Sequence, residues 1–286
     1  MSPRRLHFPR GSLRSGAWDL ELTTGKAGWS WCSLRVLELA PGGSSELQTE
    51  DDEVLVVPLS GACLVSYEDE EIELQGRASP FQAETDFCYA PRGASVVIAS
   101  RGGGRFAIPG AKAQVSLPFR YGARGDTVEV RGAGSASRRV NNLCLPATFE
   151  TDRLIVCEIF TPGGNWSSFP PHKHDESRED ECELEEIYYY EIDEDLPGNG
   201  IGYQRVYGTL ERPIELLAEI HTGDTVLVPH GWHGPAMAVP GYDLYYMNVM
   251  AGPCERSWLA RDDPVHSWVR ETWTAEQRDP RLRPWF

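Results

Sequence analysis

The sequence predicts an all-β chain built of two β-barrels, and two observations carry this reading. Short apolar runs, separated by Gly, Pro and acidic turns, recur at intervals of about 8–12 residues with almost no helical periodicity. One register also occurs twice: an Asp, four strand residues, then Pro-x-Gly. It is seen as Asp86-Phe87-Cys88-Tyr89-Ala90-Pro91-Arg92-Gly93 and as Asp224-Thr225-Val226-Leu227-Val228-Pro229-His230-Gly231, and it marks an internal duplication.

Residues 1–30 carry few regular signals. Strands are then expected at Leu34–Leu39, Val54–Val57, Ala62–Tyr67, Asp86–Tyr89, Ser95–Ala99 and Arg105–Ile108, with turns at Pro41-Gly42-Gly43 and Arg101-Gly102-Gly103-Gly104. A Gly/Ala/Ser/Arg-rich stretch over 110–147 reads as a connection, so the two halves are expected to divide as 1–147 and 148–286. The strand pattern resumes at Leu154–Phe160, at the histidine segment and at Ile187–Tyr190. It continues through Ile201–Tyr207, Glu215–Glu219, Thr225–Val228 and Tyr242–Met250. Pro264–Trp273 is the best helix candidate: Asp263 can cap it, Pro264 suits the first helical position, and Val265, Trp268, Val269 and Trp273 approximate a helical stripe. The aromatic end of 278–286 reads as an ordered arm. In the first half Pro41-Gly42-Gly43 precedes Glu46, Gln48 and Glu53. In the second, Pro162-Gly163-Gly164 precedes His172, His174 and Glu186. One barrel therefore lacks every histidine of the set.

With 286 residues, 41% hydrophobic and 10% aromatic, the chain can build a sizeable core. Its net charge of −16 argues against nucleic-acid binding, which needs a basic footprint. No run approaches 18 apolar residues, so no membrane span is expected, and the basic start lacks the apolar segment of a signal peptide. Seven scattered cysteines without CxxC spacing describe neither a disulfide framework nor a cysteine metal site. Cytoplasmic residence is the expectation that follows.

The chemistry concentrates in Pro170–Tyr190 and Pro229–His233. His172 and His174 are two apart, so on a strand their imidazoles leave the same face. Glu183, Glu185 and Glu186 lead into an apolar–tyrosine strand, and His230 and His233 follow later. Histidines with a carboxylate suit a divalent metal such as Zn, Mn, Fe or Ni. Each histidine alone would read as an ordinary surface residue; the combination reads as a metal site.

Gly164, His172-x-His174, a strand Glu and Gly223-x5-Pro229-x-Gly231-x-His233 resemble the two motifs of cupins, with an acidic insert, Asp175–Glu183, lengthening the first. The phrases PPHKHD, LEEIYYY, QRVY, GDTVLVP and GYDLYYMNVMAGP, nearly continuous over 166–268, resemble the 5-deoxy-glucuronate isomerase family of myo-inositol catabolism. Likeness to 4-deoxy-5-ketouronate isomerases is more distant. The resemblance implies a bicupin of jelly-roll-like barrels with the metal in the C-terminal one. It implies metal ligands His172, His174, Glu186 and His233. It also implies conversion of 5-deoxy-D-glucuronate, an aldose acid, to 2-deoxy-5-keto-D-gluconate, a ketose acid. Bicupins commonly pair subunits, so a homo-oligomer is expected.

Such an isomerisation needs a carbonyl polariser, supplied by a metal that stabilises an enediolate, and a group that takes and returns a proton. Candidates for the second are Glu185, Tyr188, Asp243 and Tyr246, with His230 also considered. For the substrate carboxylate the candidates are Arg205, His230 and Lys173, with Arg138 and Arg139 as alternatives. Lys173, between two ligands, projects away from them, so its plainer reading is structural. Two other functions use the same residues: a cupin dioxygenase, told apart by oxygen consumption, and a non-catalytic sugar-binding bicupin, told apart by absence of turnover.

Overall fold

The computed structural model describes residues 5–125, 128–193, 199–274 and 277–282, and strands dominate them. In the N-terminal half, Cys32–Leu39, Gly104–Lys112, Asp52–Tyr67 and Phe87–Ala90 lie side by side, with Trp18–Leu22 and Arg120–Gly122 at the edges. Gly43–Gln48, Ser95–Ser100 and Glu70–Arg77 form the facing layer. The expected strands Val54–Val57 and Ala62–Tyr67 are two halves of one 16-residue strand that passes from one layer to the other. Register slips around Pro58–Gly61 make the bend. Gly61 has φ +83°, and a Cβ there would lie 2.4 Å from Gly103 O, so only glycine fits.

The C-terminal half repeats the plan. Its first sheet runs Thr225–Val228, Glu185–Ile192, Leu244–Ala251, Ile155–Thr161, Arg138–Cys144 and Val128–Arg131, with His7–Phe8 added at the edge. Its second holds Glu215–Ile220, Gly202–Tyr207, Trp232–Ala238, His172–Lys173 and Arg261–Asp262. Three parts of this topology are not among the expected strands. The stretch read as a connection contains three strands: Arg120–Gly122 edges the N-terminal sheet, and Val128–Arg131 and Arg138–Cys144 join the C-terminal one. A terminal strand, His7–Phe8, crosses the same way. Trp232–Ala238, which carries His233 and is absent from the expected strands, is a strand paired on both sides.

The duplication is visible in the register. Val54 and Leu55 pair with Ala90 and Tyr89, as Glu186 and Ile187 pair with Val228 and Leu227. Val54 is therefore the counterpart of Glu186, and Glu53 that of Glu185, one residue off the alignment read from the sequence.

The two halves share one apolar cluster, which includes Leu34, Leu55, Tyr89, Val156, Ile187 and Val249. Burying each such side chain contributes about 1.5–3 kcal/mol. Charged joints reinforce it. The buried Arg77 pairs with Glu158, and Arg105 bonds Glu191 at 3.1 Å and Tyr189 Oη at 2.6 Å.

Asp263 does cap the C-terminal segment, accepting from Val265 N at 2.9 Å, but the chain turns before a short helix at Val269–Thr272. Val265 and Trp268 of the expected apolar stripe stand in solvent, 71% and 59% exposed. Of the tail, residues 277–282 dock on the barrel: Arg281 donates to Gly163 O at 2.9 Å and Leu282 is buried. Trp285 and Phe286 lie outside the described residues.

Candidate metal centre

The site forms where two short segments meet above the first C-terminal sheet. His172 pairs directly opposite His233 across the antiparallel strands, which brings their ring centroids to 4.4 Å. The strand ends at Lys173, yet the His174 ring still turns inward, 4.7 Å from His233. One imidazole nitrogen from each of the three lies within 4.8 Å of the others, so the cluster could hold a metal ion. Glu186 rises from the sheet below, with Oε2 3.1 Å from His174 Nε2 and 3.0 Å from His233 Nε2. His174, His233 and Glu186 are almost wholly buried and His172 is half-buried.

The donor set fits a cation. His174 Nδ1 lies 3.3 Å from Leu184 O, and His233 Nδ1 lies 3.2 Å from Gly231 O. In a neutral imidazole a proton on Nδ1 satisfies each carbonyl and leaves Nε2 as a lone pair facing Glu186. His233 Nε2 makes no hydrogen bond of good geometry although it is buried 3.0 Å from the carboxylate. Such an orphan is rare in a protein interior, and a shared positive centre relieves it. The electrostatics agree. Burial alone would raise the Glu186 carboxyl, but His233 and His174 hold it well below the usual range. Burial, then His233 and His174, pushes His172 well down, whereas His174 is raised because its bond to Glu186 outweighs its burial. The carboxylate thus draws positive charge into this space.

The acidic insert holds the two motif segments together. Lys173 leaves the strand on the side away from the ligands, but it is buried rather than exposed. Its Nζ donates to Asp175 at 2.6 Å and to Glu181 at 2.7 Å. Asp175 in turn accepts from Gly231 N at 2.9 Å, next to the carbonyl that orients His233. The Asp175 carboxyl is held down at about 2; burial opposes this, and Lys173 with the Gly231 amide outweighs it.

A cleft of about 270 Å³ opens beside the centre and reaches His172 and Glu186. Tyr188 and Tyr246 line it. Their hydroxyls form a chain: Ser167 Oγ to Tyr246 Oη at 2.5 Å, Ser168 Oγ to Tyr246 Oη at 3.1 Å and to Tyr188 Oη at 3.4 Å. Burial keeps the Tyr188 phenol well above its ordinary value. Tyr246 is also raised by burial, but Arg138 and both serines oppose this.

Four other candidates do not line the cleft. Glu185 projects from the opposite face of its strand, and its carboxylate accepts from Ser30 N at 2.8 Å, Trp31 N at 2.7 Å and Cys32 N at 3.2 Å. Asp243 sits in a turn and accepts from Gly163 N at 2.7 Å. Arg205 is exposed, lies 3.9 Å from Glu215 and stacks on Tyr207. His230 is half-buried in the turn before Gly231. Strand alternation accounts for Glu185 and Glu186 parting, and for Arg138 facing the cleft while Arg139 lines a separate small cavity with Glu158.

Sequence reasoning missed Asn248, Ser168, Arg131, Arg270 and Trp258, which also line the cleft. Asn248 was accessible to it, since it shares a strand face with Tyr246. Trp258 arrives from irregular chain with no periodic signal, and Arg270 from the short helix Val269–Thr272, whose apolar stripe gives no reason to single out a basic residue.

Two fused barrels with a histidine–carboxylate centre in one of them define a bicupin. The chain belongs to the KduI/IolB family, whose model matches residues 7–269. It is 39% identical over 272 residues to 5-deoxy-glucuronate isomerase of Geobacillus kaustophilus, covering 94% of this chain and 96% of that protein. It is 35% identical over 255 residues to the Bacillus subtilis (strain 168) protein of the same name, covering 88% and 92%. An IolB-like protein from Salmonella typhimurium superposes with a TM-score of 0.85 at 30% identity, over 93% of this chain and 99% of that one. A Bacillus subtilis oxalate decarboxylase mutant superposes at 0.62 with 12% identity, over 92% and 80%, and shares the fold alone.

Proposed function

We propose that this chain is an aldose–ketose isomerase that converts 5-deoxy-D-glucuronate to 2-deoxy-5-keto-D-gluconate. The observation that carries the reading is the His172–His174–Glu186–His233 centre opening onto a cleft that offers phenols at one level and guanidinium groups at another. Relatives at up to 39% identity carry the isomerase name. His172, His174, Glu186 and His233 would hold a divalent metal, which when bound supplies Lewis-acid polarisation of the carbonyl and neighbouring hydroxyl oxygens.

The reaction moves a hydrogen from C2 to C1 while the carbonyl moves from C1 to C2, so it needs no oxidant and no second substrate. Tyr246 Oη is the atom assigned to proton transfer. Burial raises its pKa and keeps the phenol protonated, while the nearby Arg138 and its two serine partners limit that rise, and the hydroxyl chain gives the proton a path in both directions. Tyr188, held protonated by burial, donates to a substrate oxygen, and Ser168 Oγ links the two phenols.

Cytoplasmic residence is part of the proposal. Seven free cysteines support it, six of them buried and all unpaired, as a reducing compartment allows. Pairing of subunits is tested by light scattering.

The deciding experiment follows 5-deoxy-D-glucuronate by NMR with metal-loaded protein, with and without chelator. Conversion that chelation stops is expected. No conversion by the loaded protein overturns the reading, and oxygen consumption during turnover would turn it into a dioxygenase.

A further inference from the structure

The cleft holds a buried cation that the ion pairs of the fold leave over. Arg138 is 9% exposed and lines the cleft beside Val140. It donates from one guanidinium nitrogen to Ala136 O at 3.1 Å and lies 5.7 Å from the Trp273 ring. Among the described residues no carboxylate is within ion-pair distance of it. The two other arginines of the cleft each have one: Arg131 holds Glu129 at 2.6 Å and Arg270 holds Asp262 at 2.7 Å. Burial, with those two cations nearby, brings the Arg138 pKa down to about 10. A buried charge without a partner costs stability, and a fold keeps one where it is used.

A second donor points the same way. Asn248 is 4% exposed and lines the same cleft, and its buried Nδ2 has no hydrogen-bond partner. The placement of the two relative to the metal centre has a direction. Glu186, Tyr188 and Tyr190 lie opposite Met250, Asn248 and Tyr246 on the next strand. Tyr246 lies opposite Ile159, and Ile159 opposite Val140, so Arg138 falls beyond the Tyr246 level. It is also three strands across the sheet from Glu186. The backbones are roughly 14 Å apart across the strands, at about 4.8 Å per strand, and further apart along them; both side chains nevertheless reach into the one cleft of about 270 Å³, which also touches His172.

We propose that Arg138, with Asn248 Nδ2, is the carboxylate subsite of the cleft, gripping the acid end of a sugar acid so that its carbonyl end meets the histidine–glutamate centre. The assignment rests on the isomerase reading for its substrate, but its ligand class is a short-chain polyhydroxy carboxylate. The planar fork of Arg138 can engage both carboxylate oxygens. A neutral sugar of the same length would leave the guanidinium buried and unsatisfied, so the subsite selects acids over aldoses.

The test uses metal-loaded protein and isothermal titration with D-gluconate, a six-carbon acid without a carbonyl, and D-glucitol, its uncharged counterpart. Wild type is expected to bind gluconate. Arg138→Met should weaken that binding 30-fold or more, Arg138→Lys should weaken it 3- to 10-fold, and the response to glucitol should not change. Arg138→Met should melt at the same temperature or higher, which a structural arginine would not allow. In turnover, KM for 5-deoxy-D-glucuronate should rise at least 30-fold while kcat falls less. Equal gluconate affinity in wild type and Arg138→Met, including none in either, overturns the subsite. Tighter binding of inorganic phosphate than of gluconate, lost in Arg138→Met, overturns it in favour of a phosphate site. Arg138-dependent gluconate binding without any isomerisation leaves the subsite standing and removes the isomerase reading.

Discussion

The two barrels share a strand plan and differ at the four positions that could hold a metal. In the C-terminal barrel His172 faces His233 across a strand pair, His174 follows, and Glu186 rises between them. In the N-terminal barrel the matching strand pair places Gln48 opposite Ser95. Their side chains bond each other at 2.8 Å in solvent. The counterpart of Glu186 is Val54, wholly buried among apolar residues. The N-terminal barrel also has the more capacious cleft, about 640 Å³ against about 270 Å³, lined by glycines and alanines together with Glu71, Glu73 and Arg101 and by no histidine. Cavity size therefore does not single out the proposed site; one buried carboxylate among imidazoles does.

Reciprocal exchange of the matched pair breaks the comparison most directly. Glu186→Val should abolish metal binding and lower turnover at least 1,000-fold, read by elemental analysis and the NMR assay, while the protein stays folded, because an apolar group suits that depth as well as a charge. Retained turnover without metal would remove the centre from the mechanism. Val54→Glu places a carboxylate at the same depth without imidazoles to receive it. It should destabilise the fold by about 3–5 kcal/mol in denaturant unfolding, the range for an uncompensated buried charge. A tolerated Val54→Glu would mean that the N-terminal barrel admits water or ions at this level.

Arg77 and Arg138 are the same contrast in cations. Both are buried, but Arg77 has Glu158, which also accepts from Tyr245 Oη at 2.7 Å and Asn141 Nδ2 at 2.9 Å. Arg77→Met strands Glu158 and should cost about 3–5 kcal/mol. Equal unfolding midpoints for Arg77→Met and Arg138→Met would erase the distinction between a structural arginine and a ligand-binding one.

The sequence carried the fold and half of the site for definable reasons. Strand periodicity and the repeated Asp–strand–Pro-x-Gly register are local signals, so the barrels and their duplication were legible. The His-x-His spacing and the later Pro-x-Gly-x-His were equally local. Sheet membership was not: Arg138–Cys144 looks like connection because its Arg, Asn and Gly-rich flanks depress apolar content, yet every residue of it is buried. Its basic side chains face clefts, and only the tertiary fold shows which cleft each one meets. For the same reason the sequence places Arg205 ahead of Arg138, since nothing local tells an exposed arginine from a buried one within a polar stretch. The short helix fell below its expected length because Val265 and Trp268 have no surface to cover.

The smallest effects separate Glu185 from Glu186, and they come from the duplication. Glu53 and Glu185 occupy matched positions and do the same thing in opposite directions across the joint between barrels. Glu53 accepts from the backbone N–H of Asp152 at 2.8 Å, Arg153 at 2.6 Å and Leu154 at 2.8 Å, just before the strand Ile155–Thr161. Glu185 accepts from Ser30, Trp31 and Cys32, which lead into the matching strand Cys32–Leu39. Substitution by Gln keeps the shape but turns an NH₂ against N–H donors. Glu53, with no exposure and a fourth donor in Tyr89 Oη at 3.0 Å, should lose about 2–3 kcal/mol, in the range for hydrogen bonds to a buried charge. Glu185, half-buried at the rim, should lose about 1 kcal/mol, because solvent screens what it contributes. Turnover and metal content should match wild type in both variants. A Glu185→Gln protein that kept its metal and its melting temperature but lost turnover would return Glu185 to the reaction, and would mean that its three backbone partners release it when substrate binds.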